Sequence, residues 1–224
     1  MVRGFNIYVP VYGAMIWGKE PQGIHSKALD SSSSTPFPGQ NYTLKGSQHR
    51  ENSCKTATSA TFDGNTYISL SLDKKQISAS RDELLFEFRT QSPTGLIISN
   101  GEHDYLYVAM NGGRIEIAIN LGSGEYREFI SARRGPDGFI DNQWHKVRIT
   151  RENTQVTIRV DESIMATGNT EGDFMRFTNK REFLVGGATN PERVPGYSEV
   201  SQNFRGNLRD VSAIFRVHCL GFVD

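Results

Sequence analysis

Cysteine is scarce in this chain, two residues in 224, so no dense disulfide framework holds it together, and two cysteines do not settle its redox compartment. An excess of one charge sign is also missing. Its 25 basic residues balance 25 acidic ones, so bulk electrostatics gives no reason to expect a nucleic acid partner. No run approaches the roughly 18 apolar residues that a membrane span needs. The start, MVRGFNIYVPVYGAMIWG, is a poor signal peptide, because Asn6 and Pro10 interrupt the apolar stretch and no small-residue cleavage site follows. Two readings stand at this point: a cytosolic protein, or one whose true N-terminus lies elsewhere. Nucleophile motifs are absent as well: there is no G-x-S-x-G, no H-E-x-x-H and no Gly-rich loop entering a helix. A glycosidase needs two carboxylates across a cleft. Glu83, Glu87, Glu116 and Glu128 fall at outward strand positions, but nothing in the sequence pairs them.

What is present is alternation. Residues 104–121, DYLYVAMNGGRIEIAINL, read as two strands around a tight turn. Tyr105, Tyr107 and Ala109 alternate with Leu106, Val108 and Met110; Ile115, Ile117 and Ile119 alternate with Arg114, Glu116 and Asn120. That period of two predicts one buried face and one wet face. Asn111-Gly112-Gly113 supplies residues that tolerate positive φ, and the turn fixes the register. A slip by one residue would place three isoleucines in water. Asp104 opens the hairpin and Leu121-Gly122-Ser123-Gly124 closes it, so both ends arrive at one rim.

The same texture runs from Ala57 onward. Short alternating strands are expected around Tyr67, Leu84, Leu96, Glu125, Trp144, Val156, Phe183 and Phe204, separated by turn residues among the 22 glycines and by polar loops. One of those polar loops, residues 190–202, carries two prolines. Ten or more short strands with hardly a helical period predict an all-β antiparallel sandwich whose core lies between two sheets. Trp144, Phe86, Phe88, Ile117 and Ile158 are its expected core. Residues 1–56 have no sustained period, only one short apolar stretch near Phe5 and a Ser/Pro-rich patch at residues 31–38, and read as an irregular linker or disordered segment. Asn41-Tyr42-Thr43 is a glycosylation sequon that matters only in an exported chain.

Seven pieces in series, ATFDGNTYISLSL, ELLFEFRTQSPTGLIISNG, DYLYVAMNGGRIEIAINLGSGE, DNQWHKVRITR, VDE, FLVGGA and FRGNLRDV, resemble a laminin G-like (LNS) domain, closest to the LNS domains of neurexins. The resemblance covers residues 57–216. It implies a jelly-roll-like (concanavalin/laminin G-like) β-sandwich, an extracellular and non-enzymatic module of a cell-adhesion protein, often synaptic and glycosylated, and a parent chain anchored in some cases at the cell surface. It favours the reading in which the true N-terminus lies elsewhere. Two departures stand out. The family's cysteine in F-x-G-C-L is Asn207 here, and the tail at residues 217–224 is unlike the family's closing strand, as in a fragment. Cys54 and Cys219 flank the domain; chain ends lie close in many domains, so a bridge between them and two free thiols are both open, and neither cysteine matches the family's pair.

The resemblance also implies one calcium ion at the rim, held by few protein ligands. The matching positions are Asp104, the carbonyls of Leu121 and Arg176, and Thr178 as a fourth oxygen. So sparse a set of hard oxygen ligands implies weak affinity, about 10⁻⁴ to 10⁻³ M, suited to extracellular calcium. Arg127, Arg133 and Arg134 are expected near the same rim, as a receiver for an acidic glycan or acidic protein patch. His145 beside Trp144 reads as a structural residue. The expected function is calcium-assisted recognition of cell-surface proteins of neuroligin or dystroglycan type, or of acidic glycans. A lectin-like or glycan-processing sandwich, or a fragment without independent function, is the alternative.

Overall fold

The computed structural model describes residues 3–8, 41–45, 59–71, 77–132, 138–179 and 182–217. In chain order the strands are β1 (Arg3–Tyr8), β2 (Asn41–Lys45), β3 (Ala60–Asp63), β4 (Tyr67–Ser71), β5 (Ile77–Ala79), β6 (Arg81–Arg89), β7 (Gly95–Gly101), β8 (Asp104–Asn111) and β9 (Arg114–Leu121). There follow β10 (Glu125–Ile130), β11 (His145–Glu152), β12 (Gln155–Val160), β13 (Ser163–Asn169), β14 (Phe177–Asn179), β15 (Phe183–Val185) and β16 (Arg205–Val217), with one 3₁₀ turn at Pro191–Arg193. One sheet runs β1-β16-β6-β11-β12-β13, with β3 also on β16; the other runs β10-β9-β8-β7-β15-β4-β2; β14 and β5 form a small third sheet. Every ladder is antiparallel. The result is the expected antiparallel β-sandwich.

Alternation builds the core. Phe86 and Phe88 of β6, Ile117 of β9 and Ile158 of β12 all have zero exposure and meet between the sheets. In β16 the phase has to change, because Leu208, Val211, Ala213 and Phe215 are all buried. A bulge between Arg209 and Ser212 does this, with Asp210 at φ 52 absorbing the extra residue. The central hairpin turns at Gly112 and Gly113, at φ 58 and 78, so Asn111 faces Arg114 and Asp104 faces Leu121 as the alternation requires.

Three differences from the sequence reading have physical causes. Trp144 lies outside the core, half-buried on the outer face of the first sheet between the guanidinium groups of Arg89 and Arg209, at 5.1 and 4.2 Å from its ring. Its neighbour His145 takes the inward position. The second difference is that most of the hairpin's outer face is covered, with Arg114 left exposed at the turn. Residues 186–203 fold across the outer side of β7, β8 and β9, where Leu96, Tyr107, Ala109, Ala118, Ala188 and Val200 make a second apolar cluster. The strap is fastened by the Leu96 N–H donating to the Gln202 carbonyl (2.8 Å) and the Phe204 N–H to that of Gly186 (3.1 Å). The third concerns residues 1–56, which contribute two strands: β1 on β16 and β2 on β4. The side chain of Asn41, together with Arg133, Arg134, Cys54 and Cys219, lies outside the described residues.

Candidate functional site

Asp104 and Leu121 are direct partners at the open end of the β8–β9 hairpin. One carboxylate oxygen of Asp104, Oδ2, accepts the backbone N–H of Thr178 at 2.7 Å, which ties the hairpin end to β14 across 74 residues of sequence. The other, Oδ1, lies against Gly122, where an added Cβ would stand 2.8 Å from it and 3.4 Å from the Phe174 ring. Gly122 is also at φ +93, a conformation costly for any other residue. Around this carboxylate the loop at residues 121–124 meets the one at 170–176, since the Ser123 hydroxyl donates to the Glu171 carbonyl at 3.0 Å. The rim therefore gathers Asp104, Leu121 and Thr178, with Arg176 exposed two residues before Thr178. Gly122→Ala is expected to displace Asp104 and cost about 1–3 kcal/mol of stability through backbone strain; an unchanged denaturant midpoint would show that the rim tolerates a Cβ there.

The chemistry of these donors is that of a hard cation. A carboxylate with one oxygen not taken by Thr178, held where two loops meet, is the kind of hard oxygen donor that the ion implied by the resemblance would need. Among the described residues no group of three or more His, Cys, Asp or Glu side chains could hold a metal, so a zinc-type cluster is not what this rim offers. Phe174 and Met175, 57% and 55% exposed, stand beside it as an apolar knob.

Beneath the rim lies a residue that the sequence reading passed over. Arg151 continues the inward phase of Val147 and Ile149 on β11 and is 2% exposed. Its guanidinium donates to the carbonyls of Ala79 (2.7 Å), Met175 (3.0 Å) and Asn153, and from Nε to Asp82 Oδ2 at 2.7 Å. Burial pushes the Asp82 carboxyl up to about 6, against the pull of Arg151. A charge at an inward strand position was the available signal.

Arg127 is not a free cation at the rim. It pairs with Glu116, which has zero exposure, and with Glu125 at 2.7 Å, and donates to the Gly196 carbonyl of the strap at 2.8 Å. The Ser198 hydroxyl bonds both oxygens of Glu116, at 2.7 and 2.9 Å, and the Asn111 amide donates to one at 2.9 Å. Burial works to lower the Arg127 pKa, but Glu125 and Glu116 raise it above its ordinary value. Arg127, expected to receive an acidic partner, faces Glu116 and Glu125 with its charge and gives the strap one hydrogen bond. His145 is structural, as read from the sequence. Its Nδ1 bonds Asp161 (2.9 Å), its Nε2 bonds Asp141 (3.0 Å), and its ring packs against Phe88 and Phe139.

A family model described as the laminin G domain matches residues 88–213. Neurexin-2 of Mus musculus and of Homo sapiens are each 35% identical to this chain over 182 residues, covering 74% of it and 10% of the relative. The chain thus spans about a tenth of the length of these curated relatives. Among solved structures, mouse laminin alpha1 chain domains LG4-5 align with a TM-score of 0.59 at 19% identity, over 71% of this chain and 42% of that one. The LG1-3 region of the laminin alpha2 chain aligns with a TM-score of 0.58 at 20% identity, over 75% and 33%. At such identities these structural likenesses concern the fold alone.

Proposed function

This chain belongs to the laminin G domain family, and from that premise we propose that it is an extracellular, non-enzymatic recognition module whose partner docks over one calcium ion at the Asp104 rim. The observation that carries the reading is the reach of a single carboxylate. Asp104 joins the end of the β8–β9 hairpin to Thr178 and keeps Oδ1 against Gly122, an oxygen that a hard cation would use. Asp104, the carbonyls of Leu121 and Arg176, and Thr178 would hold the ion. Bound there, calcium supplies a positive charge with coordination positions left for water or for a partner's oxygens. A cell-surface protein is the partner best supported. The exposed Phe174 and Met175 offer it apolar contact, whereas an acidic glycan loses Arg127 as a receiver. The neuroligin and dystroglycan classes remain the candidates that the resemblance implies, and the kinship with neurexin-2 agrees with a cell-surface setting.

A non-enzymatic role accords with how the outward carboxylates are used. Glu87 is paired with Arg209 at 2.5 Å, and Glu116 is buried under the strap. The deciding experiment is calcium titration of Asp104→Asn, which can keep the hydrogen bond from Thr178 and removes the charge. Titration heat is expected to disappear while the denaturant midpoint stays within about 1 kcal/mol of the parent, the position being at a strand end away from the core. Calcium heat that survives the substitution would overturn the reading.

A further inference from the structure

We infer that Arg151 is the positioning residue of the rim: acting from inside the sandwich, it fixes the 174–178 loop against Asp104 and so sets calcium affinity without touching the ion. The inference rests on the calcium reading above. It begins with an anomaly of energetics. A charge pair buried between sheets gains little over apolar residues of the same volume, because desolvation offsets most of its attraction. Stability alone therefore gives a poor account of Arg151 and Asp82 at inward positions. Geometry gives a better one. The guanidinium reaches three separate turns: Ala79 at the start of the β5–β6 connection, Asn153 in the β11–β12 turn, and Met175 in the rim loop. Only a planar fork with five donors can serve backbone carbonyls on several sides and a carboxylate together.

The rim loop needs such a hold. Phe174 and Met175 are more than half exposed and do not enter the core, and the Met175 carbonyl is tied inward to Arg151 at 3.0 Å. Phe177 then enters the core, stacked on Phe215 at 5.8 Å, and the Thr178 N–H reaches Asp104. The loop is held at Met175 from below and at Thr178 from the side, with Arg176 between the two. Asp82 completes the arrangement by orienting the guanidinium, through Nε at 2.7 Å and Nη2 at 2.5 Å.

The test replaces the pair by apolar residues, Asp82→Leu with Arg151→Met, and uses Arg151→Lys as the second variant should the first not fold. Three quantities are measured on the full chain: the denaturant midpoint in chelator, hydrogen exchange of the Thr178 amide in chelator, and the calcium Kd by titration. The expected result is a midpoint close to the parent, Thr178 exchange at least tenfold faster, and a Kd at least tenfold weaker. A folded variant with parental exchange and parental Kd would overturn the inference. Were the parent itself to show no calcium heat, the calcium reading would fall on its own. The positioning role would then be decided by Thr178 exchange in chelator, faster in the variant if Arg151 holds the loop and unchanged if it does not.

Discussion

Arg127→Ala is expected to lower the unfolding free energy by about 3–5 kcal/mol, the cost of leaving a buried charge without its partner. Glu116 has zero exposure, and after the substitution the Ser198 hydroxyl and the Asn111 amide, both neutral, would be left on its carboxylate. Arg127 itself is 22% exposed, so some solvent screening places the value toward the lower end of that range. A second consequence separates this from generic destabilisation. Arg127 donates to the Gly196 carbonyl, and Gly196 sits so close to Tyr105 and Tyr107 that a Cβ there would stand 2.8 Å from either. Without the guanidinium the part of the strap around Gly196 should open before the sandwich does. Limited proteolysis is expected to cut there first, under conditions in which the parent resists. A variant with the parental midpoint and no new cleavage would mean that the strap is held without Arg127, by its apolar contacts and backbone hydrogen bonds.

Phe86→Ala is expected to cost about 3–5 kcal/mol, the range for truncating a fully enclosed aromatic ring. Phe86 has zero exposure, lies opposite Val147 in the β6–β11 ladder, and has the Phe88 ring 6.2 Å away. Two sheets close over it, so the cavity cannot collapse without moving both. Urea or guanidinium titration reads the effect directly as a shift in midpoint at constant slope. If the midpoint does not move, β6 faces the other way and the register of the first sheet is wrong.

The sequence was most legible where one local rule settles the outcome. A Gly-Gly turn between alternating runs fixed the β8–β9 register, and with it the meeting of Asp104 and Leu121 at one rim. It was least legible where a distant segment supplies the environment. Glu116 sits on the polar side of a well-formed alternation, and nothing near it in sequence says that residues 186–203 will return to cover it. Trp144 misled because size and apolarity favour a core, while its one-residue offset from His145 places it on the outer face, where two guanidinium groups take the ring. Arg151 was visible as a charge in an inward phase, yet its partners lie in turns separated by up to 72 residues.

The sequence by itself determined the strand class, the sandwich, most of its core and the hairpin end that carries Asp104, because period-two alternation and turn chemistry are local and a sheet reads them directly. Tertiary structure alone decided which polar groups are spent and which remain free. Arg127 was paired with Glu116 and Glu125, Arg151 was gathered under the rim, and Thr178 was brought to Asp104, because partners for a charge are chosen by proximity in space, which alternation along one strand does not encode.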